Sequence, residues 1–131
     1  MPKPKTTKKK KRNILESSFV IPLEASVRDA MGAITDNQRG AVILIGAHGR
    51  LHGILSDGDI RRAMLSGFTL ETPVEKIANM HPVTLTASER NKGKGEEIFE
   101  KETSITLLPV VGSKNELLDV VIREPKKRKP W

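Results

Sequence analysis

The chain has 131 residues, the length of one ordinary domain or of two very small ones packed together. The lack of cysteine excludes disulfides, thiolate catalysis and zinc–thiolate sites, and no run approaches the roughly 18 to 20 apolar residues that a membrane helix needs. The net charge of +7 belongs to the two ends, because residues 13–125 carry 12 basic and 16 acidic side chains, so a uniformly basic nucleic-acid-binding surface is also excluded.

Both ends of the chain are strongly basic. Residues 1–12 hold seven basic side chains and residues 126–131 hold four, with no acid in either stretch. Like-charge repulsion and low apolar content predict disordered tails over 1–14 and 124–131. Nucleic-acid binding through these tails is one alternative role, since basic residues near phosphates add salt-sensitive contacts. The first tail lacks the apolar segment of a secretory signal, and we expect a cytoplasmic protein without membrane contact.

The first half of the chain between the tails alternates strand and helix signals. Ser26 followed by Asp29 forms a capping box before an amphipathic helix, and a continuous apolar run from Ala41 to Ile45 predicts a strand buried on both faces. A turn follows this run, which predicts a hairpin. The expected elements are a strand at 19–21 ended by Pro22, a helix at 27–38, strands at 41–45 and 51–55, a helix to Leu65 and a short helix at 74–78.

The same order of elements then begins again. Residues 82–85 resemble 20–23 at a separation of 62, whereas 107–111 match 41–45 at a separation of 66. The difference predicts about four extra residues in the first helix of the second copy. Two copies of a roughly 60-residue unit, each too small for a good core, should pack face to face. We predict the first repeat at 15–79 and the second at 80–123.

The second repeat is degraded in its first helix. That helix should span 89–102, but Asn91, Gly93 and Gly95 weaken it, and each glycine costs on the order of 1 kcal/mol relative to alanine. Few large apolar residues mark a buried face. We therefore expect a shortened helix that starts nearer Glu96.

The segment 53–62 carries the chemistry of the chain. A strand leads there into a helix N-terminus, whose unpaired N–H groups and partial positive charge attract an anion. Ser56 can donate its hydroxyl to a phosphate, Asp59 can accept two hydrogen bonds from a ribose diol, and Arg62 adds positive charge one turn later. Gly53 lets another surface approach the strand closely.

The motif Gly-x-x-Ser-x-x-Asp at 53–59, placed after a hairpin and inside a tandem repeat, resembles a pair of cystathionine-β-synthase (CBS) domains over about residues 18–123. The segment Ser-Asp-Gly-Asp-Ile-Arg-Arg-Ala at 56–63 is similar to the corresponding segment of CBS pairs attached to sugar-nucleotidyltransferases and arabinose-5-phosphate isomerases. The resemblance implies an α/β (α+β) fold of two βαββα repeats packed as a pseudo-twofold pair. It also implies a homodimer.

The resemblance implies a regulatory module that is not an enzyme and requires no cofactor. Its regulatory ligand would be AMP, ADP or ATP, and it would modulate a partner enzyme such as a sugar-phosphate nucleotidyltransferase. Ser56 would contact phosphate, Asp59 the ribose, and the backbone near Val20 together with Ile43 and Leu44 the adenine. The nucleotide-binding residues expected on this basis are Val20, Ile21, Pro22, Ile43, Leu44, Gly53, Ser56, Asp57, Asp59, Arg62 and His81.

The second repeat has lost these polar groups. Asp119 stands where Gly53 does, Ile122 where Ser56 does and Pro125 where Asp59 does. We therefore expect at most one good nucleotide site in each chain.

Simpler readings of the same residues remain open. Ser56 and Asp59 also form an ordinary capping box, which stabilises a helix by about 1 kcal/mol. Asp57-Gly58-Asp59 lacks the later ligands of a calcium loop, and the three histidines have no partner at zinc-ligand spacing, so we expect no metal site. The main functional alternative is a ligand-free module for dimerisation or scaffolding.

Overall fold

A computed structural model describes residues 13–124 of the chain. The predictions for the basic tails, and the final helix expected for the second repeat, fall wholly or mainly outside this range. The elements are β1 (Val20–Pro22), α1 (Val27–Asn37), β2 (Ala41–Ile45), β3 (Leu51–Ser56), α2 (Asp57–Leu65), β4 (Leu85–Thr86), α3 (Ala87–Asn91), α4 (Lys94–Lys101), β5 (Leu107–Val111) and β6 (Leu117–Ile122). Short 3-10 turns lie at Ile14–Glu16, Ala47–Gly49 and Val74–Lys76.

The two helices of the first unit begin at complete capping boxes. The Ser26 hydroxyl accepts from the Asp29 N–H while the Asp29 carboxylate accepts from the Ser26 N–H, and Ser56 and Asp59 repeat this arrangement at α2. Each box satisfies two backbone donors that a helix start leaves unpaired. The sequence-based predictions for both helices and for the hairpin are confirmed. The first strand differs slightly, because it includes Pro22 at the sheet edge, where a missing N–H is tolerated.

The first helix of the second unit is broken into α3 and α4. The shortened helix predicted near Glu96 corresponds to α4, which begins at Lys94, whereas the sequence did not predict α3 as a separate helix. Thr86 and Glu89 form a capping box, so helical structure begins at Ala87, well before the shortened helix that the sequence predicted. Gly93 then adopts a left-handed conformation (φ +80°) that separates α3 from α4. The predicted spacing is also corrected, because Leu85 pairs with β5 as Ile21 pairs with β2, a separation of 64.

The two three-stranded sheets have the same strand order and the same pattern of strand pairing. Each sheet has a parallel pair followed by an antiparallel hairpin, in the orders β1-β2-β3 and β4-β5-β6. Partners in the two hairpins correspond at a constant offset of 66, and both hairpins shift register at the same place, after Leu44 and after Val110. The offset of 66 that the sequence predicted for the strands is therefore confirmed.

The two units are related by a pseudo-twofold axis. Arg50 and Glu116 are equivalent residues, and they form a bridge with each other. A residue that pairs with its own equivalent lies on the axis that relates the repeats. Next to this bridge the Leu51 N–H donates to the Asn115 carbonyl (2.9 Å), and Asn115 Nδ2 donates back to the Leu51 carbonyl (2.9 Å). The fold is the expected α+β pair of packed repeats.

The buried apolar residues form three layers. The middle layer lies between the sheets and joins the alternate side chains of β2 and β5, such as Ile43 and Leu107. The outer layer of the first unit packs both its helices onto the sheet around Leu44 and Leu55. The outer layer of the second unit is smaller and centres on Phe99. Among the described residues no helix is both long enough and apolar enough to cross a membrane.

Candidate functional site

A cleft of about 570 Å³ lies where the two units meet. The first unit contributes the end of β3 and the start of α2, and the second unit contributes the chain before β4 and the chain leading into β5. The lining residues are Gly40, Ala41, Ile54, Ser56, Asp57, Gly58, Asp59, Arg62, Asn79, Pro82, Val83, Ser104, Ile105, Thr106 and Leu107. A ligand in this cleft would contact both repeats.

The first-unit side of the cleft is the capped N-terminus of α2. Asp59 Oδ2 accepts from the Ser56 N–H (3.0 Å) and Ser56 Oγ accepts from the Asp59 N–H (3.1 Å). Asp59 Oδ1 accepts from the Arg62 guanidinium (2.8 Å), which lies over Gly58. Within residues 13–124 the Ser56 hydroxyl hydrogen has no acceptor, so this hydroxyl can donate to a ligand.

One wall of the cleft is the chain that links the units, and Gly53 allows it to lie close. Ile54 and Asn79 exchange both backbone hydrogen bonds (2.9 Å each) along the outer edge of β3. A Cβ on Gly53 would lie 2.7 Å from the Asn79 carbonyl oxygen, closer than van der Waals contact. The prediction that Gly53 admits a second surface is confirmed, and Pro82 and Val83 continue the same wall.

The opposite wall is the chain at 104–107, and Arg123 holds it in place. The Arg123 guanidinium donates to the carbonyls of Phe99 (2.7 Å), Glu102 (2.8 Å) and Ile105 (2.9 Å), and it lies 4.8 Å from the centre of the Phe99 ring. Thr106 Oγ1 donates across the unit boundary to the Arg39 carbonyl (2.7 Å). Sequence reasoning missed Arg123, although it occupies the position of Asp57 at the offset of 66.

Four of the residues predicted from the sequence line the cleft: Ser56, Asp57, Asp59 and Arg62. Gly53 lies behind the linker wall. His81 is exposed beside that wall, where its N–H donates to Asn79 Oδ1 (2.9 Å).

The structure does not bring the residues predicted for adenine to the cleft. Ile43 and Leu44 are fully buried in two core layers, and Ile21 is 7% exposed. Val20, Ile21 and Pro22 form β1, which β2 separates from β3, the strand that ends at Ser56. The apolar surface of the cleft instead comes from Ile54, Pro82, Val83, Ile105 and Leu107.

Comparison with known protein families gives a match over residues 12–66, and the matched family is the CBS domain. This range contains the first unit up to the end of α2 and includes all four predicted residues that line the cleft. Residues 12–66 belong to the CBS-domain family. The second unit lies outside the matched range. It has the same strand order and pairing as the first unit, so the two units together form a CBS pair.

Two known proteins are similar in sequence to this chain over about three quarters of its length. An uncharacterized protein of Helicobacter pylori (strain J99) is 32% identical over 102 residues, which are 78% of this chain and 31% of that protein. The arabinose 5-phosphate isomerase GutQ of Escherichia coli (strain K12) is 31% identical over 101 residues, 77% of this chain and 31% of the enzyme. The CBS pair thus spans about a third of the length of these relatives.

A solved structure supports the same assignment. The CBS domain protein PAE2072 from Pyrobaculum aerophilum, complexed with AMP, superimposes with a TM-score of 0.65 at 25% sequence identity. The match covers 79% of this chain and 78% of that protein. The two-unit arrangement is therefore that of a CBS pair.

Within residues 13–124 the second unit of the CBS pair has Ile122 and Arg123 where the first unit has the cleft residues Ser56 and Asp57. Ile122, the equivalent of Ser56, packs with Val120 and Ile14 in the layer between the sheets. The turn Ile14–Glu16 lies against β6. Arg123, the equivalent of Asp57, donates to the three carbonyls described above. Within residues 13–124 no group of three metal-ligating side chains comes together.

Proposed function

We propose that this CBS pair is a regulatory module that binds one adenine nucleotide in the cleft between its units. The observation that carries the proposal is the α2 N-terminus, where the Ser56 hydroxyl and the Asp59 carboxylate face a cavity of about 570 Å³. The hydroxyl would donate to a phosphate and the carboxylate would accept from a ribose diol. The AMP bound to the Pyrobaculum aerophilum relative supports this choice of ligand.

Regulation follows from the position of the cleft between two packed units. A ligand that touches α2 on one side and Pro82 or Ile105 on the other stabilises one packing of the two units over others. Its effect on a partner is limited to its difference in affinity for the two arrangements. The role is that of a sensor, and the catalytic groups belong to the regulated enzyme.

The regulated enzyme in this proposal handles a sugar phosphate. The match to arabinose 5-phosphate isomerase GutQ supports this class, and a sugar-phosphate nucleotidyltransferase is the other candidate from the sequence. We further propose a cytoplasmic homodimer. Size-exclusion chromatography with light scattering tests the dimer directly, since a mass near 14.5 kDa would contradict it.

Thermal melting of the full chain with millimolar AMP, ADP, ATP and S-adenosylmethionine tests the proposal. A ligand at 100 times its dissociation constant adds about 2.7 kcal/mol to the free energy of unfolding, which raises Tm by several degrees in a domain of this size. Isothermal titration should give one nucleotide per chain, since the second unit carries Ile122 in place of Ser56.

Asp59→Ala and Asp29→Ala form a matched pair for this experiment. Both carboxylates close a capping box, at α2 and α1, so both variants should lose about 1 kcal/mol of stability. Only Asp59 lines the cleft, so only Asp59→Ala should abolish the ligand-dependent rise in Tm. Equal ligand responses of the two variants would contradict the assignment of the site.

The alternative function is a ligand-free scaffold, which the reciprocal hydrogen bonds of the Ser56–Asp59 box favour, because a helix cap by itself explains both side chains. An unchanged Tm with every adenosine compound, together with a stable dimer, would establish it. Nucleic-acid binding by the basic tails predicts instead an affinity that falls steeply with salt and disappears when residues 1–12 are deleted.

A further inference from the structure

We infer that the cleft selects a nucleoside monophosphate over the corresponding polyphosphates. This inference rests on the proposed function and names the class of nucleotide that the same site accepts. It is carried by the charges on the cleft wall and by the few hydrogen-bond donors that remain for phosphate.

The described cleft has more negative than positive charge. Its charged side chains are Asp57, Asp59 and Arg62, two carboxylates against one guanidinium. The guanidinium is already paired with Asp59 at 2.8 Å. Each further phosphate adds negative charge to the cleft, and the described lining residues offer no further cation to balance it.

The α2 N-terminus offers little attraction beyond one phosphate. Acidic residues stand at the first and third helical positions, Asp57 and Asp59, and their charges offset the positive end of the helix dipole. The capping box uses the N–H groups of Ser56 and Asp59, and the Asp57 N–H donates to the Gly40 carbonyl (2.9 Å). The donors left for phosphate at this helix end are then the Gly58 N–H, the Ser56 hydroxyl and the outer nitrogens of Arg62, a set that suits a single phosphate.

Asp57 determines the selectivity in this arrangement. Its carboxylate is exposed and lies beside Gly40, where the cleft meets the groove along α1. A carboxylate there repels a phosphate chain more strongly as the number of phosphate charges increases, because the Coulomb energy is proportional to the product of the charges. Asp57 thus acts on specificity, whereas Ser56 and Asp59 act on binding itself.

Isothermal titration of the full chain with adenosine, AMP, ADP and ATP tests the inference. EDTA is included, since Mg²⁺ would neutralise part of the ATP charge. We expect Kd to rise from AMP to ADP to ATP, with ATP about tenfold weaker than AMP at low ionic strength. The ratio should shrink as salt is added, because salt screens repulsion between exposed charges.

Asp57→Asn and Asp36→Asn provide the matched comparison. Both remove one exposed carboxylate, but only Asp57 lines the cleft. Asp57→Asn should reduce the ATP-to-AMP ratio of Kd by about threefold, whereas Asp36→Asn should leave it unchanged. An unchanged ratio in Asp57→Asn would contradict the role assigned to this carboxylate.

The two proposals fail in different ways. If none of adenosine, AMP, ADP and ATP binds, the proposed function is wrong. If ATP binds as well as AMP or better without Mg²⁺, the adenine-nucleotide function stands and the selectivity for the monophosphate is overturned.

Discussion

The two units of the CBS pair have the same strands and different helix faces. Their hairpins correspond residue by residue, including the position of the register shift. On the helix side, however, the described first unit has nine buried apolar residues and the described second unit has four. The first unit also has a continuous α1, whereas Gly93 divides its counterpart.

The difference shows which parts of a repeat the single cleft requires. The first unit supplies the polar groups at the start of α2, whereas the second supplies a wall, from Pro82 to Val83 and from Ser104 to Leu107. To form this wall, the second unit needs its strands in the equivalent positions and the Arg123 guanidinium that holds the chain at 104–107. It does not require a Ser–Asp pair of its own, so the second unit can lose that pair and still complete the cleft.

Matched leucine truncations should give the largest difference between the units. Leu55→Ala removes a fully buried side chain from the larger outer layer and should lower the free energy of unfolding by about 4 kcal/mol. Leu108→Ala does so in the smaller layer, which can relax around the cavity, and should cost about 2 to 3 kcal/mol. Urea unfolding measures both, and an equal or larger cost at Leu108 would contradict the comparison.

Gly53→Ala should have the next largest effect. The new methyl group would press on the Asn79 backbone, so we expect a loss of about 2 kcal/mol and a weaker nucleotide affinity from the displaced linker. Its equivalent, Asp119→Ala, loses a partly exposed ion pair with Arg90 and a local hydrogen bond from the Val120 N–H, and it should change the free energy of unfolding by less than about 1 kcal/mol. Thermal melting with and without AMP measures both effects, and a harmless Gly53→Ala would show that the linker is not fixed there.

Two glycine substitutions should have opposite signs and the smallest magnitudes. Gly93→Ala places a side chain in a left-handed conformation and should destabilise the protein by about 1 kcal/mol. Gly32→Ala lies on an open face inside α1 and should stabilise it by about 0.5 to 1 kcal/mol. Melting curves of the two variants measure both changes in Tm. Two shifts of the same sign would contradict the prediction that a side chain is tolerated inside α1 and strained at the break between α3 and α4.

The sequence predicted the first unit well because its signals are local. Capping boxes at Ser26 and Ser56 mark both helix starts, and the apolar run at 41–45 marks the central strand. The second unit was predicted less well. Its helix starts at Ala87, directly after a two-residue strand, and Gly93 marks a break that periodicity alone places poorly.

The candidate site was only half predictable for a related reason. Ser56, Asp57, Asp59 and Arg62 are consecutive or one turn apart, so a local motif reveals them together. Asn79 reaches the cleft by backbone pairing with Ile54 and Thr106 reaches it by packing between the units, and no local pattern encodes either long-range contact. Packing also explains the adenine residues expected from β1 and β2, because Ile21 and Leu44 are buried under the helices of the first unit and Ile43 is buried between the sheets.

The pairing of Ile54 with Asn79 also bears on self-association. An exposed strand edge offers unpaired N–H groups onto which another chain can add a strand. The Ile54 N–H is covered by the linker, and the equivalent Val120 N–H is taken by the adjacent Asp119 side chain at 2.8 Å. One repeat therefore blocks its edge with backbone and the other with a carboxylate, so loss of that carboxylate would expose a site for aggregation while leaving the fold nearly as stable.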